Sequence, residues 1–240
     1  MKDIQFIVLT CDKYLNTRIQ SIKNSWGKNQ NVKYLTDTPS ENADIIGYGT
    51  QKNYDGIFEK YVNFFKKYNF ENHDYYFFTD DDTFVNLKNL ENLILPEKEI
   101  PFCTGRLLCL NVDGTDLWGN QTGTNVQLIN GENTELPIYY PSGGSGFIIS
   151  QKGCKLIQNY LRLNKNIPYC RFSDVSLGFW LRNSGVEFIP NNNFWWDTHQ
   201  KLLNNSWEKY TTDTNVITFH YVNEQEMIDY HKKYNLLNEL

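Results

Sequence analysis

The sequence lacks several features that would assign it to a particular class of protein. No apolar run is long enough to cross a membrane, and residues 1–5 lack the apolar stretch and cleavage site of a secretory signal. No linker rich in Pro, Gly or Ser divides the 240 residues, which are enough for one large core. We therefore predict a single domain over residues 1–240, without an integral membrane segment and located in the cytoplasm.

Basic clusters and C-x-x-C pairs are also missing. The net charge is −5 and the pI is about 5.4, and the 23 Lys and Arg residues are spread along the chain, which argues against a nucleic-acid-binding surface. The five cysteines are an odd number without a C-x-x-C pair, so they indicate neither a zinc knuckle nor a full disulfide set. They are Cys11, Cys103, Cys109, Cys154 and Cys170.

Aromatic residues and asparagines, in contrast, are abundant. Aromatic residues make up 15% of the chain, which is more than a core alone usually takes. Aromatic rings stack on the apolar faces of sugars and amides hydrogen-bond sugar hydroxyls, but both residue types also fill ordinary cores and loops. The composition therefore favours a carbohydrate ligand only weakly.

The most informative stretch is a buried strand followed by three carboxylates. Tyr75 to Phe78 is a short apolar and aromatic run without helical spacing, which predicts a strand, and Asp80, Asp81 and Asp82 follow it closely. Like charges packed together raise one another's proton affinity unless a cation lies among them. Carboxylate oxygens suit Mg²⁺ or Mn²⁺, so one interpretation is a divalent-metal site completed by substrate phosphates.

The acidic stretch is open to two other interpretations. Asp82 or Thr83 could simply cap a following helix that contains Leu87 and Leu90. A phosphatase of the haloacid-dehalogenase type also begins with Asp at a strand end, but its Asp-x-Asp-x-Thr pattern would require Thr where this chain has Phe84. The metal site and the helix cap both stay open at this point.

Strands and helices alternate along the first ninety residues. Ile4 to Thr10 and Val32 to Thr36 are predicted strands, with Asp12 and Asp55 as caps of the helices that follow each of them. Such alternation predicts an α/β fold with a mostly parallel sheet that binds ligands beyond its strand ends. Arg18 and Lys60 lie on these helices beside the apolar stripes.

The second half is less regular. We predict a strand over 102–110 and, over 111–131, either a substrate-facing loop or a plain insertion. Helices are predicted over 151–163 and 173–182 and at the C-terminal end, and short strands over 186–189 and 216–219. The glycines of Ser142-Gly143-Gly144-Ser145-Gly146 would let a backbone approach a ligand, or form a bulge. Ser173 is the predicted N-cap of its helix, and the helix dipole is expected to lower the pKa of Asp174 in the first turn.

Four motifs occur in a fixed order along the chain. They are Thr79-Asp80-Asp81-Asp82-Thr83-Phe84-Val85, Ser142-Gly143-Gly144-Ser145-Gly146-Phe147, Asp174-Val175-Ser176-Leu177-Gly178 and Phe219-His220. In this order the chain resembles the inverting β-1,3-glycosyltransferases related to Fringe, and its acidic motif is most similar to that of the mucin-type core galactosyltransferases. The resemblance extends from Ile4 to about Val222.

The resemblance implies a single-domain GT-A fold, with a Rossmann-like mixed sheet, mostly parallel, flanked by helices. About 1–95 would form the nucleotide-sugar-binding half, and about 96–240 the acceptor-binding half with its C-terminal helix. The implied activity is metal-dependent transfer of a hexose or N-acetylhexosamine from a UDP-sugar to a glycan or glycoconjugate, with inversion and a β-1,3 linkage. The implied cation is Mn²⁺, with Mg²⁺ as the alternative.

The resemblance also implies roles for individual residues. Asp82 and His220 would ligate the metal, with His199 as a competitor for His220, and Asp174 would be the catalytic base. Asp80 and Asp81 would bind ribose and donor-sugar hydroxyls, and Arg18 or Lys60 would contact the pyrophosphate or the acidic triad. Thr10 and Asp37 would bind the uridine. Gly143 and Gly144 would lie against the transferred sugar.

The chain departs from the pattern in two respects. Ser173 precedes Asp174 where many relatives have a second acidic residue. The membrane anchor of the secretory-pathway relatives is missing, and the cysteines are sparse and odd in number, whereas those relatives are braced by disulfides. We therefore expect a microbial or viral enzyme of the cytoplasm, unless an anchor has been trimmed away. The alternative functions are a non-catalytic module that binds glycans or nucleotide sugars, and a metal-dependent sugar-nucleotide hydrolase.

Overall fold

The computed structural model describes residues 2–52, 56–110, 137–170, 172–204 and 211–236, and the backbone of 127–128. The strands are β1 (Ile4–Leu9), β2 (Val32–Thr36), β3 (Ile45–Gly47), β4 (Tyr75–Asp80), β5 (Phe84–Val85), β6 (Phe102–Gly105), β7 (Leu107–Leu110), β8 (Gln127–Leu128), β9 (Ile138–Pro141), β10 (Phe147–Ser150), β11 (Pro168–Tyr169), β12 (Glu187–Pro190) and β13 (Thr218–Phe219). The helices are α1 (Arg18–Lys23), α2 (Gly56–Lys67), α3 (Leu87–Asn92), α4 (Gln151–Leu163), α5 (Ser173–Ser184), α6 (His199–Leu203) and α7 (Glu224–Tyr230), which a π-helical segment, His231–Leu236, continues.

The main sheet has seven strands in the order β12-β6-β10-β4-β1-β2-β3. All neighbouring pairs are parallel except those of β10, which is antiparallel to β4 on one side and to β6 on the other. The predicted α/β fold with a mostly parallel, mixed sheet is confirmed. Leu9 of β1 pairs with Asp80 of β4, so the carboxyl ends of these two central strands meet at one edge of the sheet.

The sheet separates two apolar cores, which explains why β4 is apolar on both faces. Phe78 packs in one core with α2, α4 and α5, and Phe77 packs in the other with Trp26 and Phe6. A strand covered on both faces has no polar side, so its sequence is expected to be a continuous apolar run. Fully burying a Phe side chain contributes about 2 kcal/mol, so this strand anchors the acidic residues at its end firmly.

The first helix begins later than predicted because Asp12 has other partners. Asp12 was the predicted N-cap, but α1 begins at Arg18 after Thr17, and residues 12–14 form a 3-10 turn. The Asp12 carboxylate accepts hydrogen bonds from the hydroxyls of Thr36 and Thr38 and from the Thr38 backbone N–H. It therefore links the loop after β1 to the end of β2 instead of capping a helix.

Other boundaries also differ from the predicted ones. Ser173 is the first residue of α5 and Phe172 occupies the N-cap position without a side-chain cap. The predicted 102–110 strand is divided at Arg106 into β6 and β7, and β3 lies between β2 and α2, where no strand was predicted. The predicted cap Asp55, and residues 111–126 and 129–136, lie outside the described residues.

All five cysteines are free thiols in the structure, and four of them are buried. Within the described ranges, each helix is too short or too polar to cross a bilayer.

Candidate active site

The acidic residues follow β4 in a short turn between two strands. Asp80 ends β4, the N–H of Thr83 donates to the Asp80 carbonyl, and β5 begins at Phe84. The helix-cap interpretation is wrong, because Asn86 caps α3 by accepting a hydrogen bond from the Asn89 N–H. The cap of α3 is thus the Asn86 side chain, and the three carboxylates have other partners.

Asp81 is held by two protein donors. One of its carboxylate oxygens accepts from the Thr10 hydroxyl at 2.6 Å, and the other accepts from the Arg18 guanidinium at 2.7 Å. Its exposed fraction is only 5%. The two oxygens of Asp81 thus join the ends of β1, α1 and β4, and its contact with ribose or donor-sugar hydroxyls stays a prediction.

Asp80 and Asp82 turn instead towards His220. The Nε2 atom of His220 lies 3.3 Å from Asp82 Oδ1 and 3.9 Å from Asp80 Oδ2. One potential ligand atom from each of the three residues lies within 4.8 Å of the others. Two carboxylates and one imidazole form a donor set that fits a divalent transition ion such as Mn²⁺. The predicted metal ligands Asp82 and His220 therefore lie beside Asp80, for which the sequence predicts contact with sugar hydroxyls.

A small pair of strands brings His220 to the acidic turn. Phe219 of β13 pairs with Phe84 of β5, and the N–H of Val222 donates to the Asp82 carbonyl at 2.9 Å. The apolar strand before His220 was predicted from the sequence. Its partner was not, and that partner is what places His220 beside Asp82.

A backbone carbonyl orients the His220 ring. Nδ1 of His220 lies 3.3 Å from the Trp196 carbonyl oxygen, and a proton on Nδ1 would donate to it and leave the Nε2 lone pair facing the carboxylates. Metal-binding histidines are commonly oriented in this way. The competing His199 has different partners: Nε2 lies 2.6 Å from Asp213 and 2.9 Å from the Tyr234 hydroxyl.

The charges of this cluster strongly affect one another. Burial raises the pKa of Asp80 to about 7, with Asp82, Asp81 and Asp174 adding to the rise and His220 opposing it. Burial would also raise the pKa of Asp82, but the hydrogen bond and charge of His220 outweigh it and lower that pKa. Burial would lower the pKa of His220, whereas the hydrogen bond with Asp82 and the charges of Asp80 and Asp82 raise it. A divalent cation at this place would stabilise both carboxylates in their charged form.

The glycine-rich turn between β9 and β10 lies against the cluster. The hydroxyl of Thr83 donates to the Gly144 carbonyl at 2.7 Å, and the hydroxyl of Thr218 donates to the Ser145 carbonyl at 2.6 Å. A Cβ atom on Gly144 would lie 2.0 Å from Cε1 of His220, so only glycine fits there. The turn therefore packs against a protein side chain, in addition to any ligand contact of the kind predicted for Gly143 and Gly144.

We expect Gly144→Ala to weaken the fold and Gly143→Ala to be tolerated. A Cβ on Gly143 would be 3.7 Å from the nearest atom, which is ordinary contact, whereas the Gly144 substitution forces the imidazole to move. Overpacking of this kind costs about 1–3 kcal/mol in the free energy of unfolding. Urea denaturation of the two variants measures the difference, and equal stabilities would show that the imidazole moves freely.

Asp174 lies on the other side of the same turn. Its carboxylate accepts hydrogen bonds from the N–H groups of Gly143 at 3.4 Å and Val175 at 2.9 Å. Burial raises the pKa of Asp174 to about 6, and these backbone hydrogen bonds offset only part of the rise. The expected lowering by the helix dipole is wrong in sign, because desolvation outweighs it.

A buried ion pair supports the ends of β1 and β2. Nζ of Lys60 lies 2.7 Å from Asp37 Oδ1 and donates to the Thr10 carbonyl, also at 2.7 Å, and Lys60 and Asp37 are each 2% exposed. Of the two cations proposed to meet the acidic triad, Arg18 does so, at 2.7 Å from Asp81 and 3.3 Å from Asp82. The ammonium of Lys60 pairs with Asp37 instead.

Sequence reasoning gave no sign of one contributor to this site. The Trp196 carbonyl that orients His220 has no sequence signal, because every residue carries a carbonyl.

The fold and the acidic cluster together define the class of protein. A mixed α/β sheet with an acidic cluster after a central strand is the arrangement of the GT-A fold. A crystal structure of galactosyltransferase LgtC with donor and acceptor sugar analogues is similar, with a TM-score of 0.52 and 13% identity over 98% of each chain. An active-site mutant of LgtC has a TM-score of 0.50 at the same identity and coverage. At this identity the similarity shows the fold alone.

The family assignment comes from the sequence match. The galactosyltransferase family model matches residues 20–192, so the chain belongs to the galactosyltransferase family and is a hexosyltransferase. The catalytic domain of Drosophila β1,4-galactosyltransferase 7, solved with xylobiose, has a TM-score of 0.42 and 10% identity over 94% of this chain and 73% of that chain. Comparison with the curated proteins gave no significant match.

Proposed function

We propose that this enzyme transfers a hexose or N-acetylhexosamine from a UDP-sugar to a hydroxyl of a glycan or glycoconjugate. The transfer inverts the anomeric carbon and forms a β-1,3 linkage, as the resemblance to the Fringe-related enzymes implies. The observation that carries the proposal is the glycine turn, which has Asp174 against Gly143 on one side and His220 against Gly144 on the other. A proton acceptor and a cation-binding cluster are thus separated by a turn of small residues.

Asp80, Asp82 and His220 are the proposed metal-binding residues, with Mn²⁺ preferred to Mg²⁺ because of the imidazole. A cation bound there would act as a Lewis acid that neutralises charge on the departing diphosphate. Arg18 has 29% of its side chain exposed beside Asp82, so it can also approach a phosphate.

The uridine and ribose are proposed to bind beyond the ends of β1 and β2. Thr10 and Asp37 lie at these ends. The Thr10 hydroxyl donates to Asp81, and the Lys60 ammonium donates to the Thr10 carbonyl and pairs with the Asp37 carboxylate. In this arrangement Lys60 keeps Asp37 and the Thr10 carbonyl in place for the ligand. Ligands of open α/β sheets commonly bind in such a crevice beyond the carboxyl ends of the strands.

Asp174 is the proposed general base. The acceptor hydroxyl oxygen attacks the anomeric carbon as the bond from that carbon to the diphosphate oxygen breaks, and the hydroxyl proton passes to the Asp174 carboxylate. Inversion in a single displacement requires only one such base, on the face opposite the leaving group. The pKa of about 6 keeps the carboxylate ionised at neutral pH and more basic than an ordinary Asp.

The rate of transfer is expected to fall on the acid side of about pH 6. The pKa of Asp174 is raised, so below that pH the carboxyl group is protonated and cannot accept the acceptor proton. A profile of kcat at saturating donor, acceptor and Mn²⁺ should therefore rise tenfold per pH unit and level off above about 6. A flat profile down to pH 4.5 contradicts the assignment of the base.

Release of UDP from a panel of UDP-sugars tests the function as a whole. We expect release that needs Mn²⁺, stops with EDTA, and accelerates strongly when a β-linked or terminal hexose acceptor is added. Equally fast release without any acceptor would indicate a sugar-nucleotide hydrolase. Binding of a UDP-sugar without turnover, detected as a thermal shift, would indicate a non-catalytic module.

A further inference from the structure

Tyr221 has a backbone conformation that is unusual for its residue type. It follows His220 directly, and its φ angle of 56° lies in the left-handed region. Bulky residues rarely adopt this conformation, and where they do the surrounding structure must hold them in it. Here both neighbours are held: His220 donates its N–H to the Asp197 carbonyl, and Val222 donates its N–H to the Asp82 carbonyl.

The Tyr221 ring is not a core residue. Its exposed fraction is 59%, so packing in the interior does not explain why a tyrosine occupies this strained position. Asn or Gly would adopt the same backbone conformation at lower cost. The ring must therefore serve a local purpose.

One face of the ring covers the His220 imidazole. The two ring centroids are 3.8 Å apart and the planes are inclined by 26°. A Cβ on Gly144 would have His220 atoms as its three nearest neighbours, at 2.0 to 2.4 Å, which puts Gly144 over the other face of the imidazole. His220 is thus enclosed between a glycine backbone and a tyrosine ring.

The imidazole has only one edge left for a ligand. Gly144 and Tyr221 restrict its two faces, the Trp196 carbonyl faces Nδ1, and Nε2 points towards Asp82 and Asp80. Among the described residues, Asn29 is the other non-glycine residue with a positive φ angle, and asparagine tolerates this conformation far better than tyrosine does. The bulky residue with a strained backbone is therefore Tyr221, which lies beside the candidate metal cluster.

We propose that Tyr221 is a positioning residue for the metal-binding His220. Stacking of its ring prevents the imidazole from rotating out of the plane in which Nε2 can meet the same cation as Asp80 and Asp82. The phenol hydroxyl is not needed for this action, but the aromatic ring is. The inference rests on the proposed function, since it assumes that the cluster binds a divalent cation.

Direct measurement of Mn²⁺ binding tests the proposal on the intact chain without nucleotide or acceptor. Free Mn²⁺ is followed by electron paramagnetic resonance for the wild type and for the variants Tyr221→Asn and Tyr221→Phe. Asn keeps the left-handed backbone but removes the ring, and we expect its Kd for Mn²⁺ to rise about tenfold or more, as for other residues that orient metal ligands. Phe keeps the ring, and its Kd should stay within about twofold of the wild type.

The matched control is Asn29→Gly, which relieves a left-handed residue away from the cluster and should leave the Kd unchanged. In transfer assays, saturating Mn²⁺ should restore most of the kcat of Tyr221→Asn while the Mn²⁺ concentration for half-maximal rate stays high. An unchanged Kd for Tyr221→Asn, with normal binding by the wild type, overturns this inference alone. Failure of the wild type to bind Mn²⁺ overturns the proposed metal site and the inference together.

Discussion

Asp174→Asn is expected to reduce kcat by about 10³-fold while the affinity for UDP stays within twofold of the wild type. Removing a general base commonly costs 10²- to 10⁴-fold, and Asn cannot accept the proton of the acceptor hydroxyl. UDP should still bind, because the Asp174 contacts in the structure are with Gly143 and Val175, and not with the acidic cluster. Initial rates of transfer and isothermal titration with UDP and Mn²⁺ measure the two quantities.

The same substitution is expected to keep or raise the stability of the fold at pH 8. The pKa of Asp174 is raised from 3.8 to about 6 in the native state, so the native state favours the protonated form. The resulting stabilisation is complete below about pH 3.8 and is lost as the pH rises through 6, where the enclosed carboxylate must ionise. Asn has no charge to desolvate. Loss of turnover with an unchanged or higher Tm therefore separates a functional role from misfolding.

Asp229→Asn is the matched control for this experiment, because Asp229 is a carboxylate on α7 with 56% of its side chain exposed. It should leave kcat, UDP affinity and Tm unchanged. Turnover by Asp174→Asn within threefold of the wild type would exclude Asp174 as the base.

Asp82→Asn is expected to lower kcat/KM by about 10³-fold and to abolish Mn²⁺ binding at micromolar concentration. An amide is a far weaker ligand than a carboxylate, and a loss of about 4 kcal/mol of charge stabilisation in the transition state corresponds to that factor. Asp82 also carries the His220 contact at 3.3 Å, so its replacement weakens the orientation of a second ligand. Kinetics against Mn²⁺ concentration and titration of the free ion provide the measurements.

His199→Ala supplies the control for the metal experiment. His199 was the competing ligand, and in the structure its Nε2 faces Asp213 and Tyr234. We expect its replacement to reduce stability through these contacts while Mn²⁺ affinity is kept. If His199→Ala lost Mn²⁺ binding and Asp82→Asn kept it, the proposed ligand set would be refuted.

Local patterns predicted the framework well. The strands at 4–9 and 75–80 and the helix at 151–163 were predicted to within two residues. Their signals, apolar periodicity and continuous apolar runs, depend only on residues that are close in the sequence. Prediction failed where a side chain had a distant partner. Asp12 was assigned to a cap but bonds Thr36 and Thr38, and a local rule cannot anticipate contacts across 24 residues or more.

The candidate site shows the same division. The resemblance implied metal ligation by Asp82 and His220, and the structure places these two side chains together with Asp80 beside them. The pKa of Asp174 was expected to be lowered, because its position in the first turn of a helix can be predicted from the sequence. The desolvation that raises this pKa cannot be predicted in that way. Burial depends on which elements cover a group, and that is decided by packing.

The sequence by itself determined the order of strands and helices, the run of carboxylates after β4, and membership of the galactosyltransferase family, since these depend on residue type and spacing. Only the tertiary structure decided which carboxylates face His220 and which pair with Thr10 and Arg18. The physical reason is that residues 82 and 220 are joined by the antiparallel pairing of β5 and β13 and by the turn at Gly144, contacts between parts of the chain that are more than 60 residues apart.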